Sequence, residues 1–164
     1  MKPQIETINY DYKSDEMECL IKPYFLGEIF HCATKEDFDS ILENNYIDYT
    51  KRHSGSFGYK QKAVCLCDYR KLDRRNKFYK YISGYIYRKY IFILKKDEYK
   101  NIIPVKTEDE FDKTKEEGHL IPYFECWYSG ILTLDKIKKI YYLNVYNRPE
   151  NEKIIDLIGD YLFS

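Results

Sequence analysis

The sequence predicts an α+β fold, a mainly antiparallel sheet with flanking helices. Two observations carry this. Short apolar runs of strand length are interspersed with amphipathic stretches of helical period, yet without the regular strand–helix–strand alternation of a parallel sheet. The 164 residues, 44% hydrophobic and 33% charged, suffice for one domain with its own core. No repeat, linker or low-complexity tract divides the chain, so an arm over residues 1–26 and a single domain over 27–164 are expected.

Taken in order, residues 1–24 are polar with scattered aromatics and suit an extended arm ending near Pro23. Gly27 then opens EIFHCA (28–33), a strand. Thr34 with Asp37 three residues on has the form of a helix N-cap with an acid in the first turn. Phe38, Ile41 and Leu42 recur at helical spacing, and Asn44-Asn45 stops the helix. DYTKRHSGSFGYKQK (48–62), with two glycines, two serines and five basic residues, is a loop of functional length. AVCLCDY (63–69) is a strand. The following basic and aromatic stretch is expected to be a helix ending near Gly84, and RKYIFILKK (88–96) a buried strand. DEYKNIIPV is a short helical turn with an exit. Thr107 to Glu110 forms a capping pattern for a solvated helix over 106–118. HLIPYFECWYSGILTL (119–134) is two short strands or one bulged strand around Glu125, KIYYLNVY (139–146) a last strand, and the chain closes with an amphipathic helix starting at Pro149.

Composition limits the partners. Lysine plus arginine and aspartate plus glutamate number 27 each, so any grip on nucleic acid must be a local patch. Nineteen tyrosines accompany abundant Lys, Asn and Ile, which points to coding bias. Five cysteines form no CxxC pair or regular framework, and no apolar run reaches 18 residues. With the polar, acidic start MKPQIETINYDYKSDE, these features lead us to expect a cytoplasmic protein with reduced thiols and no membrane partner.

Three places can carry chemistry. His31, inside an apolar strand, offers one directed hydrogen bond for a ribose or amide. Taken alone, it is better explained as a half-buried structural histidine. Glu125 shares its strand face with Tyr123 and Trp127, a setting for a carboxylate that holds a sugar hydroxyl or stabilises an oxocarbenium ion. An acid on a solvent-facing edge strand accounts for it equally well. HSGSFGYKQK, with Arg52, Lys60 and Lys62 around its glycines, could cradle a phosphate but is neither a GxGxxG nor a P-loop. There is no HExxH, GxSxG or zinc-type spacing.

His31-Cys32-Ala33-Thr34 followed by DFDSILENNYI, the strand AVCLCDY after a loop with SFGY, and the late block FECWYSGILTLDKIKKIYYLNV together resemble the ADP-ribosyltransferase superfamily, over residues 27–146. The resemblance implies a split, mainly antiparallel sheet and NAD as co-substrate. By it, His31 hydrogen-bonds the adenosine ribose, and the backbone beside Cys32 faces the nicotinamide amide. Glu125 becomes the catalytic residue, holding the nicotinamide-ribose hydroxyl as nicotinamide leaves. Thr34, Ser56, Tyr59, Tyr69 and Trp127 join the NAD-binding candidates, and the middle signature residue is open among Ser56, Tyr59, Tyr69 and Ser83. Two positions depart from the family's pattern. Cys32 stands where glycine is usual, and Tyr123 replaces the Gln or Glu of the arginine-modifying branch.

The expected function is therefore NAD-dependent ADP-ribosylation of a protein or nucleic acid, as a bacterial or phage toxin, defence or anti-defence factor. The basic run Lys71, Arg74, Arg75 and Lys77, interleaved with Tyr79 and Tyr81, could hold a phosphate backbone or be a solvated helix face. Two alternatives stand beside it: a non-catalytic protein of the same fold binding NAD, an ADP-ribose derivative or a partner protein, and a small ribonuclease-like toxin using His31, His53 or His119.

Overall fold

The computed structural model describes residues 3–15, 19, 23–48, 63–70, 89–104 and 125–147. Outside these lie most of the 48–62 loop, with Ser56 and Tyr59, and the expected helices ending near Gly84, over 106–118 and after Pro149. Ser83, Tyr123, His53, His119 and the basic run from Lys71 to Lys77 also fall outside the described residues.

Along the chain come β1 (Ile5–Asp11), β2 (Ile29–Ala33), helix α1 (Lys35–Asn44), β3 (Tyr46–Ile47), β4 (Ala63–Asp68) and β5 (Tyr90–Leu94). A 3-10 turn (Lys96–Asn101) leads into β6 (Ile102–Pro104). Then follow β7 (Glu125–Ser129), β8 (Leu132–Thr133), a second 3-10 turn (Leu134–Lys136) and β9 (Ile137–Tyr146). The main sheet has seven strands in the order β1-β9-β5-β2-β4-β7-β6, and β3 pairs with β8 in a separate two-stranded ribbon. Every neighbouring pair is antiparallel except β1 with β9. Mixed helix and strand around a mainly antiparallel sheet is the α+β class that the element order predicts. No helix among the described residues is long and apolar enough to cross a membrane.

Alternation along the strands sorts side chains onto two faces. Ile29, Ala33, Val64, Leu66, Phe92, Leu94, Cys126 and Ile140 form the first face, which α1 covers with Phe38 and Ile41. The ring of Phe38 stacks on Tyr90 at 4.0 Å. Phe30, Ile91, Ile93 and Leu143 line the second face, where Phe25 and Tyr69 are wholly enclosed. With both faces covered, YIFIL in β5 has no room for a polar position, and its continuous apolar run follows from that burial.

The ends of α1 form as its sequence dictates. The hydroxyl of Thr34 accepts the amide of Asp37 at 3.1 Å, and Asn45 takes the left-handed conformation (φ 67°), its amide bonding the Ile41 carbonyl. The segment expected as an arm contributes an integral strand. β1 runs parallel to β9 in seven residue pairs and buries Ile8 and Tyr10, at the opposite edge of the sheet from β6.

A seam between β2 and β4 as candidate functional site

β2 carries His31 because Ile29, Phe30 and Ala33 anchor it on both faces, and β5 pairs with it over four residues. On its other side β2 pairs with β4 over only two: Ile29 with Asp68 and Phe30 with Cys67. Beyond Phe30 the ladder ends. At that point Nδ1 of His31 stands 3.0 Å from the carbonyl oxygen of Cys65. A carbonyl only accepts, so Nδ1 carries the proton, and in the neutral ring Nε2 is the acceptor. The imidazole therefore bridges the two strands where their backbones no longer pair.

Strand parity shows which backbone groups face this seam. The amide of Tyr69 donates to the Glu28 carbonyl at 2.9 Å, marking 28–69 as a hydrogen-bonded position of the antiparallel pair. Such positions recur every second residue, so 30–67 and 32–65 share that character. The Cys65 carbonyl meeting His31 agrees with this parity. The N–H and C=O of Cys32 accordingly point toward β4 at a place where the ladder has ended. One donor and one acceptor side by side match the two polar groups of a primary carboxamide.

The start of β2 is held by a polar latch that the sequence reading missed. The hydroxyl of Tyr99 accepts the Ile29 amide at 3.3 Å and donates to Glu28 at 3.2 Å, while Lys138 pairs with Glu28 at 3.0 Å. Burial, followed by the negative charge of Glu28, pushes the Tyr99 phenol up to about 12. The Arg70 guanidinium lies over the Tyr99 ring and grips Asp68, the last residue of β4, with two side-chain hydrogen bonds. The latch thus touches both strands at the paired end of the seam. Nothing in the local pattern of DEYKN marks Tyr99 for this, since its partners lie about 70 residues away in sequence.

The other predicted site residues distribute as follows. Position 125 pairs with Cys67, and Cys67 with Phe30, so Phe30, Cys67 and Glu125 form one row across β2, β4 and β7, the last row before the seam. Two strand spacings, roughly 10 Å, separate its ends. This row belongs to the second face, whereas His31 alternates with Ile29 and Ala33 on the first. Cys32 is half-buried against the second-face cluster, so its side chain leaves the seam to its backbone. Trp127 pairs with Cys65 and is 8% exposed. Thr34 is committed to the α1 cap. The ring of Tyr69 is enclosed 4.8 Å from that of Phe30, supporting β2 from below rather than standing in the seam. His31 and the backbone of Cys32 thus meet at the seam, position 125 lies in the neighbouring row on the other face, and Tyr69 is in the core. No protein-family model, curated protein or solved structure matches this chain.

Proposed function

We propose that the chain is an NAD-dependent ADP-ribosyltransferase acting on a macromolecular acceptor, protein or nucleic acid, and that the β2–β4 seam is where NAD binds. The observation that carries this reading is the end of the ladder after Phe30, with His31 across the gap on Cys65 and the polar backbone of Cys32 directed into it. It supports the split in the sheet that the sequence resemblance implies.

The residues around the seam divide the work. The amide and carbonyl of Cys32 take the nicotinamide carboxamide in a paired donor–acceptor contact, and the cysteine side chain, turned to the second face, does not fill the slot. His31 has the part that the resemblance implies, a hydrogen bond to the adenosine ribose. Glu125, in the strand next to β4, takes the role that the resemblance implies, holding the nicotinamide-ribose hydroxyl and offsetting positive charge on the anomeric carbon as nicotinamide departs. His31 and position 125 alternate onto opposite faces of the sheet.

Incubating the purified chain with NAD, wild type beside Glu125→Gln, tests the reading. Nicotinamide release and thermal stabilisation are followed together. Release by the wild type that disappears in the variant, with stabilisation by NAD kept, is the expected result. Stabilisation without release in either protein favours a binder of the same fold. Neither signal at millimolar NAD rejects the reading.

A further inference from the structure

Two thiols flank the seam. The pairs Ile29–Asp68 and Phe30–Cys67 fix the register of β2 on β4, and continuing it by two residues sets Cys32 opposite Cys65. Both cysteines alternate onto the second face, Cys32 with Phe30 along β2 and Cys65 with Cys67 along β4, and both are half-buried. No disulfide joins them. By the parity above, 32–65 is a hydrogen-bonded position. In an unbroken antiparallel ladder such Cα atoms lie about 5.5 Å apart, within the range that a disulfide spans, while the Cβ atoms start from the wider cross-strand spacing and must be drawn together, which makes the bond readily reducible.

The Cys65 carbonyl has two claimants. With the seam open it accepts from His31 Nδ1. In a closed ladder the same oxygen, which has two lone pairs, also takes the Cys32 amide, and the Cys32 carbonyl is taken by the Cys65 amide. Closure therefore consumes the backbone groups that Cys32 offers in the open seam and alters the setting of the imidazole, and a covalent link between residues 32 and 65 holds the strands at that spacing.

We propose that Cys32 and Cys65 form a redox latch: oxidation to a disulfide zips β2 onto β4, takes up the Cys32 backbone groups, alters the setting of His31 and shuts the seam, which is open only in the reduced protein. Glutathione disulfide is a sufficient oxidant. One cysteine thiolate attacks it, forming a mixed disulfide and releasing one glutathione. The second cysteine thiolate then attacks the protein sulfur, releasing the other. The two cysteines lose two electrons and two protons, and one glutathione disulfide becomes two thiols. That closure stops catalysis rests on the reading of the seam as the NAD site, whereas the closure itself does not.

The full chain reports on this directly, because its single tryptophan, Trp127, pairs with Cys65. The protein is equilibrated with glutathione disulfide or with dithiothreitol. Linked peptides are mapped by mass spectrometry, Trp127 emission is recorded, and the His31 imidazole resonances are followed by NMR. Expected are a Cys32–Cys65 linked peptide, quenched Trp127 emission and shifted His31 resonances. All should revert with dithiothreitol, and the linked peptide should be missing from Cys32→Ser and Cys65→Ser. Glutathione adducts without a link, a link from Cys32 to Cys67 instead, or a 32–65 link that leaves His31 unchanged each overturn the latch. Nicotinamide release separates the two readings. If the reduced protein neither releases nicotinamide nor is stabilised by NAD, the NAD assignment fails and the latch stands on its linkage and NMR data. If reduced and fully linked protein release it equally, the control of catalysis fails.

Discussion

His31 and Cys65 meet across the point where β2 and β4 stop pairing, ring nitrogen to carbonyl oxygen at 3.0 Å. A side chain has taken the acceptor that a continuing ladder would have given to a backbone amide. This makes His31 a spacer as well as a hydrogen-bond donor, so removing it tests both roles. His31→Ala should lower nicotinamide release by roughly tenfold or more, about the worth of one hydrogen bond to substrate. It should cost about 1 kcal/mol of stability for the lost bond to Cys65. His31→Asn, which keeps a short donor, should recover more of the stability than of the turnover. Urea denaturation and nicotinamide assays on the same preparations read the two effects separately.

Thr34 follows β2 directly and fixes where α1 begins. Its hydroxyl satisfies the Asp37 amide, one of the donors that the first turn of a helix leaves without an intrahelical partner. Thr34→Ala should destabilise the protein by about 1 kcal/mol, and Thr34→Ser by much less, since serine caps equally well. Equilibrium unfolding in urea checks this. Because Phe38 and Ile41 of α1 cover the first face, the loss should appear as a shift in midpoint with unchanged slope.

Several of these features could be read in the sequence because their cause is local. The Thr34–Asp37 cap, the Phe38–Ile41–Leu42 stripe and the Asn45 stop each involve residues within one or two helical turns, and the strands of 28–33, 63–69 and 88–96 announce themselves by apolar content. Pairing is different. β1 joins β9 about 135 residues away, and nothing in IETINYD specifies that partner, so its alternating polar side chains suggested only an extended arm. The seam is harder still. It consists of backbone groups where a ladder ends, and neither the end of a ladder nor the direction of a carbonyl leaves a mark on residue type. His31, Cys32 and Glu125 were identifiable as candidates, whereas the Cys65 carbonyl and the Tyr99 latch were not.

The Tyr99 latch gives an alkaline signature. Its phenol titrates near 12 in the folded chain, chiefly through burial and then the charge of Glu28, against an ordinary value of 10 when unfolded. The folded state therefore keeps a proton that the unfolded state loses between these values, and the associated stability is complete below pH 10 and falls away as pH rises toward 12. Tyr99→Phe removes this component. The difference in melting temperature between wild type and variant should be constant from pH 7 to 9 and shrink from pH 10 upward. A difference that grows with alkalinity would reject the assignment. At neutral pH the variant should also be the less stable, because the Ile29 amide loses its acceptor.

Phe30 is the residue on which the paired end of the seam rests. It is wholly buried, with the ring of Phe25 at 5.1 Å and that of Tyr69 at 4.8 Å, and its backbone forms the last ladder pair with Cys67. Phe30→Ala should cost about 3–5 kcal/mol, the range for emptying a large aromatic site in a packed core. Phe30→Leu, which keeps most of the volume, should cost far less. The two variants also ask whether the seam's position depends on this ring. If Phe30 pins the last pair, Phe30→Leu should raise hydrogen exchange at the amides of Cys67 and Tyr69 relative to those of Ile91 and Ile93, which β5 holds between β2 and β9. Equal acceleration at all four would show that the variant loosens the sheet as a whole and that Phe30 has no special hold on the end of the ladder.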